Sequence, residues 1–191
     1  MKKHIQKFIG LLTIIFTISY SSTAQEIGDF YQGGYIFYID ETGKHGLIAA
    51  KNYLDGMYAY GCENKSIKGA NGKVIDTGYQ NTMDIINQDC KTQNGDITAA
   101  QAALDYEFNG FDDWYLPSIQ ELEQMYKSIG VDYEFNGKNI LQDKFNSVYD
   151  QWYWSSSEIS DTTSFSYNFR VGFDNHYMKK GQIRVRPIRS F

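Results

Sequence analysis

Residues 116–130, LPSIQELEQMYKSIG, leave the backbone little choice. Ser118 followed three residues later by Glu121 is a capping box: the Ser118 hydroxyl accepts from the Glu121 amide while the carboxylate accepts from the Ser118 amide. Pro117 disfavours helical geometry at Leu116 and makes the boundary sharp. Ile119, Leu122, Met125, Tyr126 and Ile129 then recur at three- and four-residue spacing as one apolar stripe, and Gly130 ends the helix. Such a stripe must be covered by another layer. An aromatic-rich loop with Phe111, Trp114 and Tyr115 runs into it, and Trp114 with the Leu116-Pro117 pair is expected to clamp the helix to a sheet and to carry no chemistry of its own.

Strand signals lie on either side of this helix. Residues 31–50 read as a hairpin: a β-branched and aromatic strand over 35–40, a turn with two glycines over 41–46, and a return strand over 47–50. Residues 52–77, rich in Gly, Asn, Lys and Tyr without a sustained period, read as a long, partly ordered loop tethered at Cys62. Short helices are expected over 80–88 and over the alanine-rich 97–106, the second packing on the sheet or on the helix after Ser118. Irregular chain follows to residue 150. Residues 152–156 (WYWSS) then read as a buried strand and 157–163 as a turn. Phe165, Tyr167 and Phe169 alternate with Ser166, Asn168 and Arg170 as a half-buried strand. Residues 174–181 read as a polar turn. Ile183, Val185 and Ile188 form a last strand, with Pro187 implying an edge or a bulge. Strands first, helices in the middle and antiparallel strands last make an α+β domain.

The first residues do not belong to that domain. Lys2, Lys3 and Lys7 precede a short apolar run over 8–18, and Ser22-Thr23-Ala24 places small residues at a cleavage site. This is the pattern of a secretory signal peptide cut after Ala24, leaving residues 25–191 as a single mature domain with no transmembrane segment. The product is expected to be secreted, held at the cell surface or periplasmic. Loss of three lysines takes the net charge from −5 to −8, a poor balance for binding nucleic acid or anionic membrane. Yet residues 168–191 carry six basic side chains (Arg170, Lys179, Lys180, Arg184, Arg186, Arg189) against Asp174 alone. That basic end either pairs with the acidic body or makes an anion site. Cys62 and Cys90, the only cysteines of an exported chain, are expected to form a disulfide, the alternative being two buried thiols.

Catalytic patterns are missing from the sequence. It contains no HExxH, no GxSxG and no P-loop. Of the three histidines, His4 lies in the leader, while His45 and His176 fall in expected turns. Asp112-Asp113 and Glu121/Glu123 are paired carboxylates, but Glu121 is used by the cap and Glu123 by the exposed helix face. No nucleophile lies beside a base, so no catalytic residue is assigned. No metal or cofactor site is assigned either; Ca²⁺ would need a denser loop of Asp, Asn and Glu.

GGYIFYIDETGKHGLIAA (33–50), DDWYLPSIQEL (112–122), YWSSSE (153–158) and VRPIRSF (185–191) resemble, in this order, the Lcl C-terminal domain family. The resemblance implies a C-type lectin-like fold, akin to the formylglycine-generating sulfatase-modifying group: antiparallel strands, two main helices and long loops. The enzymes of that wider group use a reactive cysteine pair near the C-terminal end, and no cysteine follows Cys90 here. The adhesin that names the family binds sulfated glycosaminoglycans, which implies an adhesion or ligand-binding module. Some proteins of this fold are diversified by retroelements between a Trp-Ser-Ser-like strand and the last Val-Arg-Pro strand. That region here holds Ser164, Ser166, Tyr167, Asn168, Asp174, Asn175, His176 and Tyr177.

The expected ligand surface is Tyr167, Asn168, Arg170, Asp174, Asn175, His176, Tyr177, Lys179, Lys180 and Arg184: rings from strands, donors and acceptors from turns, cations for a sulfated or carboxylated ligand. The partner is expected to be an extracellular glycan, sulfated or not, or a surface protein. A diversified receptor, a secreted enzyme without its usual cysteines and a matrix protein joined through edge strands are the competing readings. Trp114, Trp152 and Trp154 are expected in the core.

Overall fold

The computed structural model describes residues 24–130, 139–141 and 143–191. The expected signal peptide lies outside these residues apart from Ala24. In chain order the elements are β1 (Phe30–Tyr31), β2 (Gly34–Ile39), β3 (Gly46–Ala50), β4 (Tyr58–Ala59), α1 (Gly78–Asn87), α2 (Ala99–Leu104), α3 (Ile119–Ile129), β5 (Trp152–Glu158), β6 (Thr163–Asn168), β7 (Phe173–Met178), β8 (Gln182–Ile183) and β9 (Ile188–Ser190). The result is a mixed α+β architecture with few helices and antiparallel sheets.

The N-terminal hairpin forms where the sequence predicts it. β2 and β3 pair from Gly34–Ala50 to Ile39–Gly46, with a bulge between Ile36 and Tyr38. β9 returns from the far end of the chain to pair with β3, so both ends are stitched into one sheet of order β1-β2-β3-β9. Both faces of this sheet are covered, which is why β3 reads as an unbroken apolar run. Ile36, Ile48 and Ala50 pack on Trp114. Phe37, Leu47 and Ala49 pack on Tyr115 and on the α3 stripe of Ile119, Leu122, Met125, Tyr126 and Ile129. The Trp114–Tyr115 pair thus clasps the sheet from both sides. The Tyr115 backbone also exchanges hydrogen bonds with Ile188 at 2.8 and 2.9 Å.

α3 begins on the predicted capping box: Ser118 Oγ accepts from the Glu121 amide at 3.3 Å, and Glu121 Oε2 accepts from the Ser118 amide at 2.6 Å. α2 docks on α1 and on the sheet strand β4 through buried Ala99, Ala100, Ala102 and Ala103, and its last residue, Leu104, packs against the core that holds the α3 stripe. A second core there gathers Tyr60, Ile85, Leu116, Trp154, Ile183 and the Cys62–Cys90 disulfide, whose Cα atoms are 4.7 Å apart. Trp114 and Trp154 are fully buried, and Trp152 is half-buried.

Three expectations need correction. Residues 174–181 are not a turn, because 173–178 form β7 in unbroken register with β6. Asp and Asn favour turns, but six cross-strand partners outweigh that local preference. The last strand is split: β8 pairs with β4, β9 pairs with β3, and residues 184–187 cross between the sheets. Residues 52–77 are tethered at Cys62 as expected, through the disulfide to Cys90, but are more than a partly ordered loop. They contain β4, bury Leu54, Tyr60, Ile67 and Ala70, and are held by polar partners from distant elements. Ser157 Oγ donates to Gly72 O at 2.6 Å, and the Asp76 amide donates to Glu121 Oε1 at 2.8 Å. Both Glu158 oxygens accept from the Ile67 amide at 3.0 Å.

Candidate binding surface

The basic C-terminal end turns inward. Lys179 is 0% exposed; its ammonium donates to Glu158 and, at 2.9 Å, to the Lys65 carbonyl. Arg184 pairs with Asp150 at 3.3 Å and lies 3.8 Å from the centre of the Tyr53 ring. Arg186 pairs with Asp143 and donates to the Ala50 and Lys51 carbonyls at 2.7 and 3.1 Å. Arg189 forks onto Asp113 at 2.5 and 2.8 Å, and that hydrogen bonding holds the Asp113 carboxyl below the ordinary carboxylate range. Each cation brings one segment of chain to another, and all four are buried.

The expected ligand surface is therefore divided. Tyr167, Asn168, Lys179 and Arg184 are buried and withdrawn from it. Asn168 Oδ1 accepts from the Arg170 and Val171 amides at 2.9 and 3.2 Å, which shapes the β6–β7 turn. Ser164 and Ser166 are buried as well. Arg170, Asp174, Asn175, His176 and Lys180 remain exposed, and Tyr177 is half-buried. Lys180 lies 3.3 Å from Glu63. Register fixes the two faces of β7: Phe173, Asn175 and Tyr177 lie over Trp152 and Trp154, whereas Asp174 and His176 share the face of Tyr153 and Tyr167. Phe173 meets the Trp152 ring edge-on at 5.3 Å and Tyr177 meets Trp154 at 5.8 Å. Phe173 is still 47% exposed and Met178 54%.

A second surface went unnoticed in the sequence. Tyr53, Tyr58, Tyr106 and Phe108 line an open groove of about 490 Å³ with Asp55 and Asp105. Among the described residues, no Lys or Arg lines it. Asn109 and Gly110, at φ 55° and 82°, close a tight turn in which Phe108 and Phe111 exchange backbone hydrogen bonds at 3.0 and 3.1 Å. That turn sets the Phe108 ring parallel to Tyr106, with centroids 6.2 Å apart. Burial, with Asp55 beside it, raises the Tyr58 phenol above its ordinary range. The Asn-Gly pair at 109–110 was the available signal, but the strands that such a turn normally joins are absent from the flanking sequence.

Elsewhere, His45 and Asp112 sit exposed in turns, and Glu123 pairs with Lys127 on the surface of α3 at 2.7 Å. Among the described residues, no group of three or more His, Cys, Asp or Glu could hold a metal ion. No helix among them is long and apolar enough to cross a membrane.

The Lcl C-terminal domain profile matches residues 63–189, more than half of the chain. The N-terminal hairpin lies outside that match, although β3 and β9 share a sheet. No curated protein matches. A solved fimbrial protein from Bacteroides ovatus ATCC 8483 is similar at a TM-score of 0.47 and 15% identity, over 75% of this chain and 35% of that one. The chain thus spans about a third of the length of that protein.

Proposed function

The chain belongs to the Lcl C-terminal domain family, and from that premise we propose that it is an exported, non-catalytic binding module of C-type lectin-like fold, acting at or outside the cell surface. The observation that carries this reading is β7. Its polar side chains project from a strand locked in register on a frame braced by buried ion pairs and a disulfide. Side chains held this way lose little freedom when they meet a partner. Arg170, Asp174, Asn175, His176, Tyr177 and Lys180 are the contacting residues.

Charge selects the partner class. With Lys179, Arg184, Arg186 and Arg189 inside and paired, the strand offers a polymer of sulfates little to bind. A surface protein is the better partner for β7. The mature protein, residues 25–191, is to be tested against surface proteins and a glycan array. The variant Asp174→Ala/Asn175→Ala/His176→Ala should lose protein binding at unchanged Tm; full retention overturns the assignment of β7.

The groove favours a second reading. Rings that stack on sugar faces, beside carboxylates that accept from hydroxyls, suit a saccharide without acid groups. Tyr58→Ala/Tyr106→Ala should abolish neutral-glycan binding and leave protein binding intact. Glycan binding that survives this variant removes the second reading.

A further inference from the structure

Among the described residues β7, six residues long, is the unpaired edge of the sheet β5-β6-β7. Edges are usually protected by shortness, Pro, Lys or a bulge. β1, the edge of the larger sheet, has only two residues, and the Tyr115 backbone bonds to β9 at Ile188. β7 has no Pro, no Lys and no bulge.

The backbone groups on its open side can be assigned. The Lys179 amide donates to Thr162 O at 2.9 Å, so these two form a hydrogen-bonded pair. Alternation along an antiparallel ladder then turns the amides and carbonyls of Tyr177, Asn175 and Phe173 towards β6. Those of Asp174, His176 and Met178 lie on the other side, where the Met178 carbonyl already accepts from the Gly181 amide at 2.8 Å. The outward amide of His176 donates to the neighbouring Asn175 Oδ1 at 2.8 Å.

We propose that β7 pairs antiparallel with β7 of a second copy of this chain, about a two-fold axis at Asn175. A two-fold normal to the sheet keeps every side chain on its own face, so residue numbers of opposed partners must sum to an even number. Centring on Asn175 opposes Asp174 with His176 and Phe173 with Tyr177, each twice. Acid meets imidazole, and ring meets ring. The same register makes Asp174 and His176 the hydrogen-bonded pairs, the residues whose backbone groups point outward. Phe173 and Tyr177 fall in the non-hydrogen-bonded pairs, where side chains approach more closely. Since Phe173 already packs on Trp152 and Tyr177 on Trp154, one aromatic row crosses the junction. Centring on His176 would instead set His176 against itself and Asp174 against Met178. The pairing joins two sheets into one and sets two copies of the proposed recognition surface side by side, although it requires no other ligand.

Sedimentation equilibrium of the ligand-free mature protein tests this independently of any ligand. The wild type should show a concentration-dependent dimer. His176→Asp places Asp opposite Asp174 at both ends and should weaken association by about tenfold or more. Asp174→His/His176→Asp restores the opposition and should recover the dimer. Both positions are exposed in the single chain, so Tm should not change at concentrations low enough to keep the wild type monomeric. A wild type that stays monomeric up to its solubility limit overturns the proposal. So does a dimer that His176→Asp leaves intact, or one that the exchanged pair fails to restore.

Discussion

At Lys179 a charge is buried completely, and its worth depends on its partners. Glu158 takes its proton donors from Lys179 and the Ile67 amide, so three segments meet at one carboxylate. Lys179→Met strands that carboxylate and should lower the unfolding free energy by about 3–5 kcal/mol in urea titrations. Lys179→Met/Glu158→Gln leaves an acceptor for Ile67 without a buried charge, and should cost less than the single change. Glu121 differs, since among the described residues no cation pairs with it. Burial pushes its carboxyl up to about 7, while hydrogen bonds from Ser118, Asp76 and Gly78 pull the other way. A Cβ at Gly78 would stand 2.2 Å from Glu121 Oε2, so only glycine fits there. From its ordinary 4.5 to about 7, the folded state holds this proton more firmly than the unfolded chain. Its contribution to stability therefore falls as pH rises across that window and is level above it. NMR titration of the Glu121 carboxyl, with unfolding measured at both ends of the window, checks value and sign. Glu121→Gln should flatten that slope. Asp113, held low by Arg189, acts oppositely and loses its contribution on acidification.

Among the elements, α3 is the most locally specified. Ser118→Ala removes the cap acceptor and also the hydrogen bond from Ser118 Oγ to Val74 O at 3.0 Å. The expected loss is about 1–2 kcal/mol by denaturant unfolding, above the ordinary value for a cap because the hydroxyl serves two segments. β7 stands at the other extreme. Its alternation is real, but no face of it is fully buried, so apolar periodicity is faint in the sequence. The serine run in β5 was legible as strand but not as a polar seam. Only in the folded chain does the Ser156 amide donate to Pro117 O at 2.7 Å while Ser157 Oγ accepts from the Ile119 amide at 3.1 Å.

For the molecule as a whole, long-range ties replace a single large core. The disulfide closes a separation of 28 residues, and its reduction should cost about 3–4 kcal/mol, seen as a lower midpoint in urea with reductant. Residues 52–77 should lose amide-exchange protection first, because Cys62 anchors them to Cys90.

Local spacing in the sequence determined α3 and its cap, the β2–β3 hairpin, the core placement of Trp114 and Trp154, and the family motifs. The information for each lies within a few residues, because caps, turns and periodicity act over one or two turns of chain. Only the tertiary structure decided where the basic end goes, that β7 is a strand, and that residues 52–77 are ordered. Arg189 finds Asp113 across 76 positions and Arg186 finds Asp143 across 43. Whether a cation faces a ligand or a buried carboxylate depends on which distant segment the fold brings within hydrogen-bond reach, and composition is the same in either case.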